Sequence, residues 1–182
     1  CSNTIGCHNV AIGKQPLAKN TTGQANVAIG NAAAYNNTTG CGNVAIGNAA
    51  LYANKICTGN VAIGADALKA HVSALENVAI GLCAMGVGNS NYTSCNVAIG
   101  PYSLKNVGNG DVNVAIGALA GCAITSGGNN VLLGYKTGCT ITTGANNIIL
   151  GKDAQATSST TSNEITLGDA NITTFRIPGL QS

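Results

Sequence analysis

Asn43-Val44-Ala45-Ile46-Gly47-Asn48-Ala49-Ala50-Leu51-Tyr52-Ala53-Asn54-Lys55-Ile56-Cys57-Thr58-Gly59 is one complete unit of a repeat, and Asn60 begins the unit again. The phrase Asn-Val-Ala-Ile-Gly, or a close variant of it, ends on Gly13, Gly30, Gly47, Gly64, Gly81, Gly100, Gly117, Gly134, Gly151 and Gly168. Every interval is 17 residues except Gly81 to Gly100, which is 19. A period of this size describes a unit that buries its apolar surface only by stacking on its neighbours. The phrase is β-branched at alternate positions, and Gly, Asn and Thr-Gly turn signals interrupt each unit before an amphipathic helix can complete three turns. The chain therefore reads as all-β: a parallel β-solenoid of ten rungs of about 17 residues each, with strand, tight turn, second short strand and longer loop in each rung. At roughly 4.8 Å per rung it makes a rod of roughly 48 Å. The repeat array occupies residues 1–168, and 169–182 form a C-terminal capping or connector segment.

Down the repeats, one column runs Val10, Val27, Val44, Val61, Val78, Val97, Val114, Val131, Ile148, Ile165, and a second runs from Ile12 to Ile116 and then Leu133, Leu150 and Leu167. These share one strand face, because side chains two apart point the same way. The residue between them is alanine from Ala11 to Ala115, then Leu132, Ile149 and Thr166. A strand apolar on both faces is normally covered on both. The cover expected for the small residues is another copy of the chain, which places Ala28, Ala45, Ala62, Ala79, Ala98 and Ala115 at the interface of a homo-oligomer.

Four residues after the glycine, Leu17, Ala34, Leu51, Leu68, Met85 and Leu104 give way to Gly121, Gly138 and Gln155, while Ile124 and Ile141 appear three positions further on, as though the core contact shifts along the coil. Asparagine precedes the valine column in nine rungs, from Asn9 to Asn147, with Glu164 in the tenth. Stacked amides can donate and accept between rungs, so this ladder is structural. Asn20, Asn37 and Asn54 begin a shorter second one. The two extra residues near Gly88–Tyr92 should bulge outward, and an even insertion keeps later side chains on their proper faces.

Charged residues are 8% of the chain and the net charge is +2, too little for a nucleic-acid footprint or a polybasic membrane patch. No apolar run reaches the length of a membrane span, so membrane insertion is not expected. A chain opening on Cys1 without a leader is expected to be a processed product or a segment of something larger. Of eight cysteines, Cys122 and Cys139 share a column on adjacent rungs, which puts a disulfide within geometric reach. His8 and His71 lie far apart, and no Cys/His ligand cluster points to a metal; no cofactor is expected. Asp66, Glu76, Asp111, Asp153, Glu164 and Asp169 do not pair in one column on successive rungs, so the clustered acids of a polysaccharide-cleaving spike are missing and no enzyme activity is expected. A column rich in Thr and Ser (Thr22, Thr39, Ser73, Ser90, Ser126, Thr143, Thr160) raises ice binding, but Ile56 and Asn109 break it. Tyr35 and Tyr52 on adjacent rungs, with Tyr92 in the insertion, are candidates for a sugar-stacking platform, against the plainer reading of corner packing.

The repeated Asn-Val-Ala-Ile-Gly phrase, followed by Ala-Leu and a Thr-x-Gly turn, resembles the head repeats of trimeric autotransporter adhesins and similar repeats of bacteriophage tail fibres. Asn163 to Ile177 is similar to the segment that precedes the self-cleaving intramolecular chaperone of phage tail fibres. The resemblance implies a left-handed β-roll assembled as a parallel homotrimer, outside the cell or on a virion surface. Its expected role is a non-catalytic shaft that presents a host-binding end, with a host cell-surface glycan or protein as second partner. An extracellular filament built by end-to-end stacking is the alternative.

Overall fold

The computed structural model describes residues 3–88 and 92–176. Strands β1 (Val10–Ile12), β2 (Val27–Ile29), β3 (Val44–Ile46), β4 (Val61–Ile63), β6 (Val78–Ile80), β8 (Val97–Ile99), β9 (Val114–Ile116), β10 (Val131–Leu133), β11 (Ile148–Leu150) and β12 (Ile165–Leu167) stack in chain order into one parallel ten-stranded sheet. Two further strands, β5 (Ala74–Leu75) and β7 (Thr93–Ser94), pair on either side of the insertion. The fold is an all-β parallel solenoid, and no helix occurs among the described residues. Register copies the repeat: Val44 stands opposite Val61, Ala45 opposite Ala62 and Ile46 opposite Ile63. Across the 19-residue interval Val78 still meets Val97 and Ala79 still meets Ala98, so the even insertion does preserve the faces. Most of the bulge expected there falls on residues 89–91, outside the described residues.

Only one short strand per turn is regular. A second strand in every rung, expected from the sequence, exists among the described residues only as β5 and β7. Elsewhere the chain bends through left-handed residues that strands do not accommodate. The phrase glycine has φ between +125° and +139° in nine copies, a region that a side chain does not tolerate. A Cβ on Gly64 would also stand 2.6 Å from the carbonyl oxygen of Gly81 on the next turn. Five residues before, two after and four after that glycine, non-glycine residues such as Glu76, Asp66 and Leu68 take φ near +50°. Such conformations are held where surrounding structure over-determines them. Here the turn above and the turn below do so through bonds such as Leu68 N–H to the Ala84 carbonyl, 2.9 Å.

The direction of the strand faces corrects the expectation drawn from the sequence. Ala28, Ala45, Ala62, Ala79, Ala98 and Ala115 are fully buried inside a single chain, and they cannot form the surface where copies meet. Small residues are required there for a different reason. The coil is thin, and its interior is filled from the opposite wall by Leu51, Leu68, Met85 and Leu104, all fully buried, leaving a methyl group's worth of space at each strand. The valine and isoleucine columns face out.

The asparagine ladder runs the length of the sheet. Asn43 donates its backbone N–H (3.0 Å) and its Nδ2 (3.0 Å) to Oδ1 of Asn26, and a second Nδ2 proton to the Cys57 carbonyl, 2.9 Å. The pattern repeats from Asn26 to Asn147 and passes the insertion unbroken at Asn96 and Asn77. These amides are buried, so each supplies the partners that a turn sealed from water would otherwise lack. Glu164 ends the ladder by donating its N–H to Asn147 Oδ1, 2.9 Å. The second ladder starts one turn earlier than expected, at Asn3, which accepts from Asn20 Nδ2 at 3.2 Å, and it ends at Asn37, whose Nδ2 donates to Asn20 Oδ1 at 2.9 Å. Asn54 donates to the Cys57 carbonyl at 3.2 Å, and Asn37 Oδ1 has no partner among the described residues.

Candidate functional site

The strand alternation that sends alanine inward sends valine and isoleucine outward, and repetition converts two exposed side chains per turn into a stripe. Ile12 is 58% exposed, Ile116 41% and Ile165 68%, and the remaining members of both columns are half-exposed to exposed. No charged or polar side chain interrupts either column. Nine strand spacings give the stripe a length of roughly 43 Å, and side chains two apart on a strand give it a width of roughly 7–10 Å. Isolated surface leucines or valines are ordinary, whereas a contiguous aliphatic band of several hundred Å² is among the largest patches a monomer exposes, and such patches are often functional. Aliphatic side chains offer no hydrogen bond and no charge, so the stripe can bind only another apolar surface.

The aromatic candidates separate. Tyr35 and Tyr52 do stack, with centroids 5.3 Å apart and planes 14° from parallel, and Lys19 Nζ lies 5.3 Å from the Tyr35 centroid. That ammonium also donates to Asn36 Oδ1 at 2.9 Å. The pair is half-buried and its outer face is already occupied by a cation, which favours a corner brace over an open platform. Tyr92 is 74% exposed and stands in another column, eight residues before the phrase glycine, whereas Tyr35 and Tyr52 stand five after it. Two further lysine–tyrosine pairs repeat the brace, Lys105 over Tyr102 and Lys136 over Tyr135.

Cys122 and Cys139 are brought together, with Sγ atoms 3.0 Å apart. Both are thiols and both are half-buried. The sulfur of Cys139 donates to the Leu119 carbonyl at 2.7 Å, and burial beside Cys122 pushes its thiol up to about 12.

Two acids that share no column nevertheless share a cavity. Asp153 and Asp169, with Gln155, Thr166 and Asn171, line a space of about 470 Å³ at the C-terminal end of the sheet. They are 16 residues apart instead of 17, a diagonal across adjacent turns that a search down vertical columns passes over. No sequence pattern marks them: they meet because the chain leaves the coil after β12. Asp169 is engaged by Asn171, which donates from Nδ2 (2.8 Å) and from its backbone (3.0 Å) and holds the carboxyl below its usual range. Asp153 lies 3.4 Å from Lys152 Nζ. At the same end, Thr166 and Thr157 donate to Glu164 and lower its carboxyl similarly. The remaining acids lie apart: Asp66 pairs with Lys69 at 3.0 Å, and Asp111 accepts from the Ser94 backbone at 2.6 Å.

In the sequence His71 reads as an isolated histidine. It is fully buried, and among the described residues neither ring nitrogen makes a hydrogen bond of ordinary geometry, the Met85 backbone being the polar group that acts on it. It stands seven residues after Gly64, in the column of Asn20, Asn37 and Asn54, so that it takes the place of the next asparagine. Gly88 follows in the same column, and a Cβ there would stand 2.6 Å from the imidazole Cε1. Desolvation lowers the imidazole to about 4, against a weaker upward pull from the backbone of Met85.

No helix among the described residues is long and apolar enough to cross a membrane. No protein-family model, no curated protein and no solved structure matches the chain.

Proposed function

We propose that the chain is the shaft of an extracellular or virion-surface fibre or adhesin: a non-catalytic rod, three parallel copies thick, that presents a host-binding end. The observation that carries this reading is the aliphatic stripe, ten strands tall and uncovered in the single chain. Its shape argues for an axis. An area of roughly 43 Å by 10 Å, about 400 Å² per chain, is about half of what each partner contributes to a stable pairwise interface. Three narrow stripes turned toward a common axis meet two neighbours each and leave no apolar edge in water. Val61, Ile63, Val78 and Ile80 therefore replace the alanines as the residues where copies meet. The corner that carries the exposed Tyr92 faces a cell-surface glycan or protein, while Tyr35 and Tyr52 brace their own corner.

Native mass spectrometry and light scattering of the purified chain test the assembly. A trimer is expected, and Ile63→Asp with Ile80→Asp should release a folded monomer. A wild-type chain that remains a soluble monomer overturns the reading. Particles that lengthen with concentration at constant width replace it with a filament of stacked rods. Incubation with bacterial surface polysaccharides tests the role: binding without new reducing ends is expected, and steady release of oligosaccharide makes the chain a depolymerising spike.

A further inference from the structure

Seven cysteines lie among the described residues, and only Cys122 and Cys139 occupy one column on adjacent turns, each five residues after its phrase glycine. Cys7 and Cys41 also share a column, but Gln24 lies on the turn between them and donates its N–H to Cys41 Sγ at 3.3 Å. Adjacent turns hold Cα atoms roughly 4.8 Å apart, inside the span of roughly 4.4–6.8 Å that a disulfide bridges. The backbone is already fixed on both sides: Gly121 N–H donates to the Thr137 carbonyl at 2.9 Å and Gly138 N–H to the Ala154 carbonyl at 2.8 Å. Closing a bond from thiols 3.0 Å apart therefore asks for a side-chain rotation and no movement of the coil. The position has a mechanical meaning as well. The cysteines directly follow Gly121 and Gly138, where the coil has lost the leucine that anchors the same turn in earlier rungs.

The geometry points to a covalent staple: Cys122 and Cys139 form a disulfide between adjacent turns when the rod meets a disulfide oxidant, with Cys122 attacking first and Cys139 resolving. This goes beyond the proposed shaft role and does not depend on it. The order follows from the hydrogen bonds. Cys122 donates to the Cys139 sulfur, Cys139 holds its own proton on the Leu119 carbonyl, and burial pushes the Cys139 thiol up, which holds it back as the resolving sulfur. The Cys122 thiolate attacks one sulfur of oxidised glutathione, breaks that disulfide and expels one glutathione thiolate, leaving a mixed disulfide. Cys139 then loses its proton to water and attacks the Cys122 sulfur, and the second glutathione leaves. Two electrons pass from the protein thiols to the glutathione disulfide.

The test uses the full chain, oxidised by glutathione disulfide under conditions in which circular dichroism shows it folded. Free thiols are then alkylated and the chain is digested without reduction; Lys136 lies between the two cysteines, so trypsin separates their peptides. The expected result is one linked pair of peptides carrying Cys122 and Cys139, a thermal midpoint that rises on oxidation, and its return with dithiothreitol. Cys139→Ser should retain glutathione on Cys122, while Cys122→Ser should leave Cys139 unmodified over the same time. Alkylation of both cysteines in the folded, oxidised chain overturns the staple, as does a link between copies seen on a non-reducing gel. Faster glutathionylation of Cys139 in Cys122→Ser than of Cys122 in Cys139→Ser overturns the assigned order.

Discussion

The third and fourth rungs of the rod and the seventh and eighth keep the same left-handed backbone positions and fill the coil differently. Around Leu51 and Leu68 the strand contributes alanine and the far wall contributes leucine at a residue with φ near +50°. Around Gly121 and Gly138 the strand contributes Leu132 and Ile149, the left-handed position is glycine, and Ile124 and Ile141 enter three residues later. The exchange is steric, because a Cβ on Gly138 would stand 2.7 Å from Leu132 Cδ2 and one on Gly121 2.7 Å from Leu132 Cδ1. Between the two regions the column that ends in Ile124 and Ile141 passes through Asn54, His71, Gly88 and Val107. What is kept along the rod is the volume enclosed by a turn, while its distribution among positions is free to move, as expected of interiors packed to constant density.

The strongest way to break the pattern is a charge in the strand column. Ala62→Asp places an unpaired carboxylate at a site with no exposure, and a loss of about 3–5 kcal/mol is expected in urea or thermal denaturation. The loss should persist in the monomeric background carrying Ile63→Asp with Ile80→Asp, because the alanine is inside one chain. A loss that vanishes in that background would return the alanines to the interface.

His71 sharpens the boundary between the two packings. Its imidazole titrates at about 4 in the fold against 6.5 ordinarily, so between those values the unfolded chain binds a proton that the fold excludes. Full stability is present above pH 6.5 and falls as the pH drops toward 4, by up to about 3 kcal/mol. His71→Asn, which restores the ladder residue, should flatten that part of the pH profile. A profile of unchanged slope in the variant would assign the acid sensitivity elsewhere.

Exchange of the two core solutions is the subtler test. Gly138→Leu supplies the earlier rungs' leucine where Leu132 already fills the space, and should cost about 1–3 kcal/mol. Adding Leu132→Ala should recover most of it, a coupling that a double-mutant cycle measures directly. Additive losses would mean that the two positions do not share a volume. The smallest effect belongs to the surface: Asp66→Asn breaks only the half-exposed pair with Lys69 and should change stability by less than about 0.5 kcal/mol, with no change in assembly.

Much of this was legible in particular residues. The spacing of Gly13 to Gly168 predicts the solenoid and its register, and the shift from Leu104 to Ile124 predicts the change of core. The stacking of Tyr35 on Tyr52 and the approach of Cys122 to Cys139 follow from their columns alone. The cavity between Asp153 and Asp169 does not, since it depends on where the last turn departs from the register. Nor does the burial of His71 without an ordinary hydrogen bond among the described residues, which is set by the turns above and below it.

Sequence by itself determined which residues stack on which, because parallel pairing of identical units at a fixed period leaves one register. It also determined that valine and isoleucine lie on one strand face and alanine on the other. Only the tertiary structure decided which of those faces is inside. Alternation assigns side chains to two faces without a sign, and the larger apolar residues would ordinarily take the interior. From Ala28 to Ala115 the opposite wall brings leucine and methionine across so short a gap that the strand has space for a methyl group alone, and the branched residues are left on the surface.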